Sequence, residues 1–210
     1  MVTPALQICD LHCVRGGRRV FDGLSLDIPE GRLLRVSGAN GAGKTSLLRM
    51  ICGLLLPARG EVLWRGQRIA ALREDFHRQL IYLGHAAALK DDLSASENLV
   101  AAARLSGLDP GAAEVEAALA STGLRGHAHV PVRNLSQGQR RRVALARLVL
   151  GKASALWVLD EPFNALDAAA SAWLLQLVSG QVRRGAIVVL TSHDADLSWP
   201  DTLPQLELAL

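Results

Sequence analysis

The chain has 210 residues, 50% of them apolar and 20% charged, which suits one large domain or two small lobes and excludes a disordered polypeptide. A formal charge of +3 is modest, and the densest basic cluster, Arg140-Arg141-Arg142, has no interleaved aromatics, which argues against a nucleic-acid footprint. No run reaches the ~18 apolar residues that span a bilayer, and residues 1–10 lack the basic start and apolar core of a signal peptide, so a membrane role is expected only through a partner chain.

Residues 6–28 alternate and turn like antiparallel strands, around Leu6-Gln7-Ile8, Arg19-Val20-Phe21 and Leu24-Ser25-Leu26. Residues 32–37 read as a strand running into Gly38-Ala39-Asn40-Gly41-Ala42-Gly43-Lys44-Thr45, a complete G-x-x-x-x-G-K-T phosphate loop followed by Ser46. Its glycines let successive N–H groups turn toward phosphate oxygens, and the next helix adds its positive end. Lys44 should reach the β- and γ-phosphates of a nucleotide, and Thr45 should offer its hydroxyl to Mg²⁺. Leu47, Leu48, Met50 and Ile51 recur at helical spacing, and Gly53 closes that helix. Another strand follows at 60–64. Cys9, Cys13 and Cys52 lack C-x-x-C spacing and read as reduced thiols.

Beyond Tyr82, alanine- and leucine-rich helical segments occupy roughly 94–124, broken at Gly107, Asp109-Pro110-Gly111 and Gly123. His127-x-His129 lies in a loop setting rather than a metal-ligand array. In Leu135-Ser136-Gln137-Gly138-Gln139, Ser136 stands as the N-cap of a helix running to about 150, and Gln139 completes a capping box. That helix start aims free N–H groups and a dipole outward. An apolar strand at 155–159 ends in Asp160-Glu161, where the carboxyl edge of a parallel sheet presents ligands; Asp160 is suited to hold Mg²⁺ through water. A helix at 168–180 and a strand at 186–191 lead to Thr191-Ser192-His193.

Phosphate loop, Leu135–Gln139 pentapeptide and Asp160-Glu161, in this order, resemble the ATP-binding-cassette (ABC) ATPases, and the resemblance runs from Leu6 to His193. It implies an α/β fold: a P-loop NTPase cassette with a RecA-like core, an antiparallel β-subdomain and a helical insertion. The whole of 1–210 would be one domain, with a helical subdomain at roughly 86–145. It implies ATP hydrolysis by two copies closed face to face, with Glu161 as catalytic base and His193 as the switch histidine on the γ-phosphate. Leu135, Ser136, Gln137, Gly138 and Gln139 would act in trans on the other copy's nucleotide, and Asp167 would reach across between copies.

Two positions depart from that pattern. Arg15 stands where the family places an aromatic to stack on adenine; a guanidinium can also stack on a purine. His85 ends Ile81-Tyr82-Leu83-Gly84-His85 where the family has glutamine, and nitrogen is a poorer Mg²⁺ ligand than oxygen. His85 is expected to act through water or as a coupling contact. Tyr82-Leu83-Gly84-His85, Leu93-Ser94-Ala95-Ser96-Glu97-Asn98-Leu99, Leu135–Arg142 and Trp157–Phe163 together look like the ATP-binding subunits of cytochrome c maturation systems, the haem-exporter family. That narrower resemblance implies transmembrane permease partners and a peripheral place on the cytoplasmic face of the membrane. Two other readings are the motor of another ABC transporter, or a soluble ABC protein working on ribosomes or DNA.

Overall fold

The computed structural model describes residues 4–192 and 199–210. The chain divides into two compact units, one built from residues 1–82, 154–161 and 178–210, the other from 83–153 and 162–177.

The first unit opens with β1 (Pro4–Arg15) and β2 (Arg18–Pro29), a long hairpin turning at Gly16-Gly17. Then come β3 (Leu33–Ser37), α1 (Lys44–Ile51), β4 (Arg59–Trp64), β5 (Gln67–Arg68) and two single-turn helices, α2 (Ile69–Leu72) and α3 (Glu74–His77). β6 (Leu80–Leu83) closes this first stretch. β4 adds to β1 on the side away from β2, giving the antiparallel order β2-β1-β4-β5. Buried leucines and isoleucines of α1 join Leu6, Ile8 and Ile28 of this sheet with Leu34, Val36, Val158 and Val189 of the other sheet in one core. Helix α1 ends because Gly53 takes φ +71°: its N–H donates to Met50 O, and Leu54 N–H reaches back to Arg49 O.

The other sheet has the order β6-β7-β8-β3-β9, with β7 (Leu156–Leu159), β8 (Ile187–Thr191) and β9 (Gln205–Ala209). β7, β8, β3 and β9 run parallel, with Leu159 opposite Leu190 and Val36 opposite Thr191. Register alone therefore brings the end of β3, which enters the phosphate loop, beside Thr191 and Asp160 at one sheet edge. β7 is buried along its whole length, as a strand covered on both faces must be.

The second unit carries α4 (Ala95–Leu105), α5 (Ala112–Ser121) and α6 (Gln137–Leu150), whose Leu99, Val115, Leu119, Val143 and Ala146 form a separate core. The break between α4 and α5 falls at Gly107 to Gly111, as the turn residues predict. Asn98 holds the loop before α4: its amide donates to the carbonyls of Lys90, Leu93 and Ser94 and accepts from Lys90 N–H. The last helix, α7 (Ala168–Arg183), runs past the expected end at 180.

Candidate functional site

The phosphate loop joins β3 to α1. Gly43 at its end has φ +105° and no side-chain cap, so the first N–H groups of α1 stay available for an anion. A Cβ on Gly43 would lie 2.4 Å from Val20 Cγ1, because β2 passes directly over this corner with Val20 and Phe21. Lys44 is buried and its Nζ donates to the carbonyls of Gly38 (2.7 Å) and Ala39 (3.1 Å). Those bonds keep a buried ammonium solvated by dipoles and can be exchanged for phosphate oxygens. Ser46 follows, half-buried, on α1. Arg15 sits at the exposed tip of the β1–β2 hairpin opposite Arg18, so the aromatic that borders the loop is Phe21.

Asp160 is 1% exposed, and its two oxygens are shared between two elements. Oδ2 accepts from Thr45 Oγ1 at 2.8 Å, and Oδ1 accepts from Thr191 Oγ1 at 2.9 Å. Thr191 Oγ1 in turn accepts from Glu161 N–H at 2.8 Å. Glu161 has φ +49°, a backbone conformation that costs a non-glycine residue about 1–3 kcal/mol. Thr191 thus fixes the strained residue next to the buried aspartate. A hydroxyl and a carboxylate this close form an all-oxygen donor pair suited to a hard divalent cation. Among the described residues no group of three or more His, Cys, Asp and Glu side chains converges.

In the second unit Ser136 caps α6. Its Oγ accepts from Gln139 N–H at 3.2 Å, and Gln139 Oε1 accepts from Ser136 N–H at 2.9 Å. Gln139 Nε2 lies 3.3 Å from His127 Nε2, which makes His127 a buttress of the cap. Ser136 and Gln137 are exposed, and a Cβ on Gly138 would stand 3.1 Å from Ala165 O. Leu135 is buried in the helical core. Asp167 caps α7, accepting from Ala170 N–H at 2.8 Å, and pairs with Arg142. The Ala170 N–H, then Arg142, hold its carboxyl below the usual aspartate range; the cap therefore persists at neutral pH and weakens only as pH falls through that lowered value. His85 is exposed on a segment lining an open groove of about 630 Å³ with Leu89, Gln137, Arg140 and Asn164. His193 lies outside the described residues.

The family model for ABC transporters matches residues 21–164. The chain belongs to the ABC transporter family. A cytochrome c biogenesis ATP-binding export protein CcmA from Aromatoleum aromaticum is 51% identical over 97% of this chain and 96% of its own length. The CcmA protein of Dechloromonas aromatica is 50% identical over 90% of this chain and 92% of its own. Among solved structures, a putative ABC transporter ATP-binding protein from Pyrococcus furiosus superposes with a TM-score of 0.81 at 28% identity, covering 97% of this chain and 96% of that one. The chain is an ABC-type ATPase cassette, and its substrate is ATP, used with a divalent metal.

Thr191 is the site residue that sequence reasoning passed over, because a threonine ending a strand looks like ordinary β-propensity. Thr191→Val keeps that shape and removes both hydroxyl bonds. It is expected to cost about 1–3 kcal/mol of stability and to lower kcat roughly tenfold, while ATP affinity stays at the wild-type level. Chemical denaturation, nucleotide titration and steady-state kinetics check the three effects, and an unchanged kcat would remove Thr191 from the site.

Proposed function

We propose that this cassette is the ATP-hydrolysing subunit of a cytochrome c biogenesis export complex, working as two copies on transmembrane permease subunits with haem as the exported cargo. The observation that carries the paired mechanism is the exposed, capped start of α6. One chain holds both a phosphate loop and an outward-facing anion-binding helix end, and the second finds its anion in another copy's nucleotide. Sequence identity of 51% across nearly the full chain supports the cytochrome c assignment. Among the described residues no helix is long and apolar enough to cross a membrane, in keeping with a peripheral place on the cytoplasmic face of the inner membrane and membrane contact through the partners.

In this reading the backbone from Gly38 to Thr45 wraps the phosphates, and Lys44 exchanges its two carbonyl partners for the β- and γ-phosphate oxygens. Thr45 and Asp160 would hold Mg²⁺, which supplies charge neutralisation on the phosphates when bound. Glu161 accepts a proton from the attacking water, held in place by its bond to Thr191. Ser136 and the N–H groups around Gly138 receive the γ-phosphate of the other copy, and Asp167 touches that copy from the start of α7. His193 takes the switch-histidine role that the family resemblance implies. Arg15 contributes near the base, and His85 is the contact through which the permease senses the nucleotide.

Glu161→Gln should lower hydrolysis by about 10²- to 10⁴-fold and leave binding intact, so the protein accumulates as an ATP-held dimer on size exclusion. Monomer alone at saturating Mg·ATP would contradict the pairing. His85→Gln should retain basal hydrolysis yet reduce covalently bound haem in the membrane fraction. Normal covalent haem in the variant would overturn His85 as the coupling contact, and normal covalent haem in cells lacking the chain would overturn the cytochrome c assignment.

A further inference from the structure

Arg141 lies on α6, two residues beyond the capping glutamine, and is only 6% exposed. Its Nη1 donates to the carbonyls of Gly84 at 3.2 Å and His85 at 3.3 Å, and its Nε donates to Pro162 O at 3.4 Å. One guanidinium therefore ties together the helix that begins at Ser136, the segment that carries His85, and the residue that follows Glu161 in sequence. Burying a cation is costly, and the carbonyls of these segments help to offset that cost. Arginine suits the task because its planar fork presents donors in two fixed directions; an ammonium is a single point charge. The groove beside His85 is open, so a partner segment entering it meets a chain segment already bonded to α6.

We propose that Arg141 is a positioning residue that transmits displacement of the Gly84-His85 segment to α6 and thereby to the nucleotide of the other copy. This rests on the paired-cassette reading above. The test uses the full chain with Arg141→Met and Arg141→Lys, each alone and combined with Glu161→Gln. Both single variants should bind a fluorescent ATP analogue with a Kd within about twofold of wild type, since the phosphate loop is untouched, while kcat falls roughly tenfold or more. The ATP-held dimer formed by Glu161→Gln should weaken severalfold in both combinations. Lysine keeps the charge and should not rescue, because the fork rather than the charge spans the carbonyls.

Wild-type kcat and undiminished dimer in Arg141→Lys would overturn the proposal, as would the same result in a folded Arg141→Met. If Arg141→Met does not melt cooperatively, Arg141→Lys decides alone. A parallel loss of analogue binding and kcat would also overturn it, because that is the mark of general unfolding. Failure of Glu161→Gln itself to dimerise counts instead against the pairing of copies, and the split between Kd and kcat then decides the role of Arg141.

Discussion

The divided carboxylate of Asp160 is the interaction on which the first unit depends. A buried aspartate is tolerable only when its oxygens are bonded, and here one oxygen is taken by the first turn of α1 and the other by the end of β8. That requirement locks the phosphate loop, the β7 terminus and the β8 terminus to one another before any nucleotide arrives. The strained conformation of Glu161 survives because Thr191, held by Asp160, grips its N–H. The placement of Glu161 is thus a consequence of satisfying one buried carboxyl group.

The second unit solves a different problem. Its polar bonds serve to present one helix end: a reciprocal cap at Ser136 and Gln139, His127 behind the glutamine, and Arg140 donating to Leu135 O and Arg133 O. The cap uses up the Gln139 N–H while leaving others at the start of α6 free, and the exposed Ser136 hydroxyl remains an available polar group. Such an end suits an anion. In the proposed paired arrangement that anion is the nucleotide of the other copy, and ATP binding and ATP sensing fall to different parts of one chain.

Much of this was legible in residue order. The α1 boundaries follow from apolar spacing and Gly53, and the α6 cap follows from Ser136 and Gln139, because both signals are local. β7 was readable as an apolar run ending in two carboxylates. β9 went unread although Gln205-Leu206-Glu207-Leu208-Ala209 alternates cleanly, since a short edge strand is defined by its neighbour β3 rather than by its own five residues. β5 and the single-turn helices α2 and α3 are too short to carry a period. The roles of Thr191 and Arg141 depend on partners about 30 and 57 residues away in sequence, respectively, which spacing arguments cannot supply. That Val20 and Phe21 close over Gly43 was not legible, because the contact is set by the path of β2.

The sharing of sites between copies can be measured with two inactive variants that damage different halves of it. Lys44→Ala disables a chain's own phosphate loop, and Ser136→Arg fills the start of α6, where the proposed pairing places the other copy's γ-phosphate. In a heterodimer of the two, one composite site carries both lesions and the other carries neither. ATPase activity should therefore return on mixing, in proportion to the heterodimer formed, while each variant alone stays inactive. Heterodimers that form and remain as inactive as either parent would contradict the account.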